Sequence, residues 1–206
     1  MVNLRVMVIV VGSVLEFASP VHAQQPIGPV DFKPFVDGRN WIVRQPLSYT
    51  IGISKDSVTV PPGFVTDFAS IPQVLQSIIR QNGPYLLPAV VHDYLYWKQT
   101  CTREESDQIL LLAMIENKVG DFHRTAIYEA VKAAGRFAWD NNARERAAHL
   151  PRIIPSDRLM IGANTLWPEY RVQLAQQGVV DGPDTPIPAS FCARGNMSVD
   201  NALRKP

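Results

Sequence analysis

The segment Ala89-Val90-Val91-His92-Asp93-Tyr94-Leu95-Tyr96 sets an imidazole beside a carboxylate inside an apolar run. A second carboxylate, Asp107, follows in Thr102-Arg103-Glu104-Glu105-Ser106-Asp107-Gln108-Ile109. On a helix, His92 and Tyr96 stand about one turn apart and share a face with Ala89 and Tyr85, while Asp93 is turned about 100° away. Asp107 shares its face with Leu110, Leu111 and Met114, so it points inward, where a charge needs a partner. His92, on the preceding helix of an antiparallel pair, is the natural one. A histidine held by an aspartate is a general-base arrangement. The carboxylate fixes the tautomer and supports the imidazolium formed when a proton is taken. His92, Asp107 and Tyr96 are therefore the candidate catalytic set.

Two other readings of the same residues stay open. Asp93 and the loop residue Asp67 could supply oxygen ligands to a hard divalent cation such as calcium. His92 could itself ligate a metal, zinc included, with Asp107 behind it. Alternatively, His92, Asp93 and the tyrosines form a buried polar knot joining helix, loop and sheet. Asp67 belongs to Val60-Pro61-Pro62-Gly63-Phe64-Val65-Thr66-Asp67-Phe68-Ala69-Ser70-Ile71-Pro72. From this loop Thr66 and Ser70, with Tyr94 from the helix, are candidate substrate contacts; Thr66, Asp67 and Ser70 could equally cap a following helix. His123 and His149 read as exposed, Arg144, Arg146 and Arg152 as a solvated basic face, and Trp139 and Trp167 as packing or rim residues. Neither G-x-S-x-G nor H-E-x-x-H is present.

The positioning elements follow from pattern. Residues 40–43, 48–53 and 57–60 alternate or run apolar as short strands, giving a small antiparallel meander that Pro61-Pro62-Gly63 ends. Residues 74–80 and 86–98 read as helices. Thr102 with Glu105 makes a capping box for the next, which Val119-Gly120 closes. Residues 121–141 form an amphipathic helix whose apolar stripe is Ala126, Ile127, Ala130, Val131, Ala134, Phe137 and Ala138. Residues 158–163 and 169–177 are weaker helical candidates, and from Gly178 the chain reads as a Pro-rich tail. The fold class is α+β: an N-terminal β-meander, a three-helix core and a Pro-rich C-terminal tail.

Residues 1–23 have the form of a secretory signal peptide. Arg5 is followed by an apolar run over residues 6–15 and by Val21-His22-Ala23 at the cleavage position. The run is too short to span a bilayer, and no later stretch is longer, so no transmembrane anchor is expected in the mature chain. The division is then signal peptide 1–23, core domain 24–150 and C-terminal appendage 151–206, with a periplasmic or secreted location. In an oxidising compartment Cys101 and Cys192, the two cysteines of the chain, tend to pair. Two unpaired thiols are the alternative. With 206 residues, 46% of them hydrophobic, the chain can bury a core, and a net charge of +1 argues against a nucleic-acid binder.

The Val60-to-Pro72 loop, His92-Asp93-Tyr94-Leu95-Tyr96 and Arg103 with Asp107 together resemble a bacterial and phage family known as domain of unknown function 1353. The resemblance covers residues 45–140 and implies no activity. The helix bearing His92, Asp93 and Tyr96, followed by one bearing Asp107, is also similar to calcium-dependent secretory phospholipases. That likeness implies water activation by His92, calcium at Asp93 and orientation of His92 by Asp107. This chain lacks that group's flanking cysteines and glycine-rich calcium loop. The expected function is an exported His/Asp-dependent hydrolase, metal-assisted in one version, acting on an envelope lipid or the cell wall. A non-catalytic binding module or a phage-derived lysis accessory is the alternative.

Overall fold

Alternation decides the first hairpin. In the computed structural model, which describes residues 30–68 and 83–203, Leu47-Ser48-Tyr49-Thr50 buries Leu47 and Tyr49 and exposes Ser48 and Thr50. This strand, β3 (Leu47–Thr50), pairs antiparallel with β4 (Ser57–Val60), Leu47 opposite Val60 and Tyr49 opposite Val58. The second sheet holds β1 (Phe32–Pro34), β2 (Trp41–Val43) and β5 (Val65–Thr66), in the order β1-β2-β5, all antiparallel. The expected single meander is thus two small sheets. Pro61 and Pro62 have no N–H to continue β4's ladder. Gly63, at φ +88°, then turns the chain so that its amide reaches the Val43 carbonyl at 2.8 Å. A Cβ at Gly63 would collide with the Ile154 carbonyl, so only glycine lets the chain cross here. That crossing sets Thr66 and Asp67 beside the helices.

Helix α1 (Leu86–Lys98) is buried continuously from Pro88 to Trp97. A helix buried all round is a central core element, which is why His92 and Asp93, a third of a turn apart, are both interior. Helix α2 (Arg103–Glu116) opens on the expected capping box: Glu105 N–H donates to Thr102 Oγ1 at 3.2 Å, and Thr102 N–H to Glu105 Oε2 at 2.7 Å. Helix α3 (Asp121–Ala147) outruns its expected end at residue 141, because no glycine or proline occurs between Asn141 and Pro151. The three helices pack on one another.

The segment beyond Leu150 is structured and contributes to the core. Ile153, Ile187, Phe191, Cys192 and Ala202 join the same apolar cluster as Val58, Val60, Val91 and Leu95. The candidate helix over residues 158–163 is reduced to a 3₁₀ turn at Ser156–Arg158, next to Gly162. Helix α4 (Trp167–Gln176) starts with Pro168 in its first turn. Two short helices, α5 (Ala189–Ala193) and α6 (Val199–Leu203), occupy the expected tail. Cys101 and Cys192 form a disulfide, Cα to Cα 5.0 Å, across 91 residues of sequence. Asp181 accepts the Trp97 indole N–H at 2.7 Å and the amides of Arg152 and Ile153, while Asp184 takes Lys98 and the Tyr94 hydroxyl.

The expected signal peptide, the expected helix over residues 74–80 and Ser70 lie outside the described residues. No described helix is long and apolar enough to cross a membrane.

Candidate functional site

Helices α1 and α2 pack on each other and bring His92 against Asp107. His92 Nε2 lies 3.0 Å from Asp107 Oδ1, with the two residues 3% and 2% exposed. Beside a carboxylate that nitrogen carries the proton and donates, which leaves Nδ1 as the basic atom. The same Asp107 oxygen accepts the Tyr96 hydroxyl at 2.5 Å, and its other oxygen accepts Arg103 Nη1 at 3.0 Å. Burial, reinforced by the hydrogen bond to Asp107 and its charge, pushes the Tyr96 phenol far above its usual range. Tyr96 is therefore a permanent donor. Burial works against the Arg103 charge, but the Asp107 and Glu104 carboxylates outweigh it and raise that group too. Asp107 thus faces three donors, His92, Tyr96 and Arg103. His92 Nδ1 is buried and has no hydrogen-bond partner, a state that costs about 1–3 kcal/mol unless something binds it.

Gly135 makes room for this arrangement. A Cβ there would run into the Tyr96 hydroxyl, and glycine in a helix interior otherwise costs about 0.5–1 kcal/mol against alanine. The Tyr96 ring is packed between His92, at a centroid distance of 4.0 Å, and Trp139, edge-on at 5.1 Å.

His92, Asp93 and Tyr96 line one cleft of about 490 Å³. One wall is α3, presenting Ala130, Val131, Ala134, Phe137 and Ala138. The same helix adds Asn141, Asn142 and Glu145, and Asn40, Asp67, Arg152, Trp167 and Arg171 complete the lining. Arg152 donates to the Val65 carbonyl and to Asn142 Oδ1, pairs with Asp67 at 3.6 Å, and lies over the Phe64 and Trp97 rings. Arg171 is bound to the Pro151 carbonyl and Glu145 and stacks over Trp97 and Trp167. Burial lowers the Arg171 pKa, against the opposing pull of Glu145.

The other expected site residues divide between the cleft and the core. Thr66 is fully buried and donates to Asp93 Oδ2 at 2.5 Å, so it supports Asp93 and does not line the cleft. Tyr94 points the opposite way from His92, edge-on to Phe64 with its hydroxyl on Asp184; it is a core residue. Asp67 and Asp93 share the cleft, yet each is engaged, with Arg152 and Thr66 respectively. Among the described residues they are not part of any three-membered acid, histidine or cysteine group with metal-ligand spacing. The one such group is Cys101, Glu105 and Cys192, whose sulfurs are already bonded to each other. His123 and His149 are exposed.

Residues 41–131 match a family model described as "Protein of unknown function (DUF1353)". The match covers a little under half of the chain. No curated protein and no solved structure matches. The DUF1353 segment holds the whole His92–Asp107–Tyr96–Arg103 cluster and the start of the α3 wall. Gly135, Asn142, Arg152, Trp167 and Arg171 lie beyond it, so the cleft is completed by chain outside the family match. Sequence reading missed Asn142 and Arg171 and took Arg152 for a solvated residue. Arg152 sits in a run rich in charge, and only the packing of Trp97 and Phe64 beneath it marks it as interior.

Proposed function

We propose that the protein is an exported hydrolase in which His92 Nδ1 activates water against an acyl bond of an envelope component. The observation that carries this reading is the one basic atom left over in an otherwise fully bonded buried cluster: Nδ1, on a histidine that lines a cleft. As water attacks the carbonyl carbon, Nδ1 takes its proton and Asp107 supports the imidazolium through Nε2–H. When the tetrahedral intermediate collapses, the C–O bond to the leaving group breaks and Nδ1–H returns the proton to the departing oxygen. Asn142 is suited to the developing oxyanion: its Oδ1 is taken by Arg152, which leaves its Nδ2–H group as a donor on the cleft. Export is supported by the disulfide, which is at home in an oxidising compartment, and by the apolar N-terminal run.

One observation favours the competing reading, a non-catalytic binding module: Nδ1 is shut off from bulk water, as in a structural histidine. The experiment that separates the two incubates the purified protein with phospholipid vesicles and with cell-wall sacculi and assays the products. His92→Gln serves as the control because glutamine keeps a donor facing Asp107. Release of products from either substrate by the wild type and by no other sample supports the hydrolase. Equal, null results on both substrates support the binding module.

A further inference from the structure

Asn142 is 6% exposed, and its side chain has one hydrogen-bond partner among the described residues: Arg152 Nη1, 2.8 Å from Oδ1. That bond decides which way the amide faces. A guanidinium has donors and no acceptor. Asn142 therefore turns Oδ1 to it and leaves the Nδ2 hydrogens on the other side. Nδ2 has no partner among the described residues and, unlike His92 Nδ1, is not sealed from solvent. Asn142 lines the cleft that holds His92, so the donor is offered there.

Arg152 is held by the core at both ends. Asp181 Oδ1 accepts the backbone amides of Arg152 and Ile153 at 2.6 and 2.8 Å, and Asp181 Oδ2 accepts the Trp97 indole N–H at 2.7 Å. Arg152 Nε donates to the Val65 carbonyl at 2.9 Å, and its guanidinium lies over the Phe64 and Trp97 rings with Asp67 3.6 Å away. The arginine is thus fixed by several contacts, while the asparagine amide is fixed by the arginine. Asn142, Arg152 and Asp181 all lie beyond residues 41–131, outside the family match.

We infer that Arg152 is a positioning residue, which sets the Asn142 amide with its Nδ2–H group toward the cleft and so makes Asn142 a donor to a carbonyl-type oxygen. Its value to catalysis rests on the hydrolase reading; the orientation of the amide stands without it.

The test joins kinetics to a measurement that needs no turnover. In the first arm, kcat and KM on p-nitrophenyl acetate are compared for the wild type, Arg152→Met, Asn142→Ala and the double variant. Methionine keeps an unbranched stem and has no donor. Asn142→Ala is expected to lower kcat about 10²-fold, the usual loss for one oxyanion donor. Arg152→Met is expected to lower kcat about tenfold with KM changed less than about threefold, and the double variant to be no slower than Asn142→Ala. In the second arm, heteronuclear NMR follows the Asn142 side-chain amide, assigned by its loss in Asn142→Ala. Its carbonyl-carbon and nitrogen signals are expected to move and broaden in Arg152→Met, as the amide takes up a second orientation. Losses that multiply in the double variant, or an Asn142 amide signal unchanged by Arg152→Met, would overturn the positioning role. A wild type that cleaves no ester overturns the hydrolase reading, and the NMR arm then decides the orientation by itself. Should Arg152→Met not fold, Arg152→Lys replaces it, because an ammonium keeps the charge beside Asp67 without the planar fork; the same outcomes apply.

Discussion

On the α1–α2 side of the cleft, Asp107 is held by His92, Tyr96 and Arg103, and a single ring nitrogen is left over. On the α3 side the lining is apolar from Ala130 to Ala138, with Val131 buried and Phe137 exposed, and turns polar at Asn141, Asn142 and Glu145. Buried polar groups are costly unless partnered, so a cluster this fully bonded fixes geometry and makes its one exception conspicuous. An exposed alanine or phenylalanine costs the fold little, and its value lies in what it meets. The first side is fixed by hydrogen bonds, the second by packing along one helix.

Breaking the first side has the largest effect. Asp107→Asn keeps the shape but removes the charge that supports the imidazolium. It is expected to lower turnover about 10²–10⁴-fold, checked by steady-state kinetics on an acyl ester. It also leaves Arg103 without its main counter-charge, for a stability loss of about 1–3 kcal/mol in urea melts. Gly135→Ala attacks the same side from across the cleft. Its methyl group displaces the Tyr96 hydroxyl, and the expected loss of turnover is about 10–100-fold, with Tyr96→Phe giving a similar loss and the double variant no further one.

The disulfide is a stability term independent of both sides. Its loop model gives about 4–5 kcal/mol for closing some ninety residues, and removal of native bridges typically costs about 2–5 kcal/mol. Cys192→Ser is expected to lower the melting midpoint accordingly and to loosen α5 first, read by hydrogen exchange.

The buried phenols give a pH dependence. Tyr49 and Tyr96 are both pushed up, by burial first and then by Glu116 and Asp107 respectively. Each binds its proton more tightly folded than unfolded, so its contribution is complete below pH 10.0, the ordinary tyrosine value, and is lost as pH rises beyond it. Melting midpoints are expected to fall steadily above that pH, and to fall less steeply in Tyr96→Phe. The smallest effect belongs to the second side: Phe137→Ser is expected to change stability by no more than about 0.5 kcal/mol.

The legible parts of the molecule were those set by local chemistry. Thr102 and Glu105 announce their helix start because the capping box closes within a few residues, and the inward face of Asp107 follows from its spacing to Leu110 and Met114. The pairing of His92 with Asp107 needed one further assumption, that the two helices are antiparallel. What the sequence hid depends on contacts distant along the chain. Nothing near Arg152 or Arg171 tells of the Trp97 ring under both. Nothing near Tyr94 tells of Asp184, so it looked like a cleft residue when it belongs to the core. The apolar stripe of α3 was readable, but that Val131 would be buried and Phe137 exposed was not, because periodicity reports a face and not what packs against it.

The central claim is tested most directly by the initial rate of octanoyl ester hydrolysis in the wild type and in His92→Gln, with thermal midpoints compared on the same preparations. The account predicts that the wild type cleaves the ester and that the variant loses at least about a thousandfold of that rate while melting within a few degrees of it. A variant that retains the rate, or a wild type that leaves the ester intact, contradicts it.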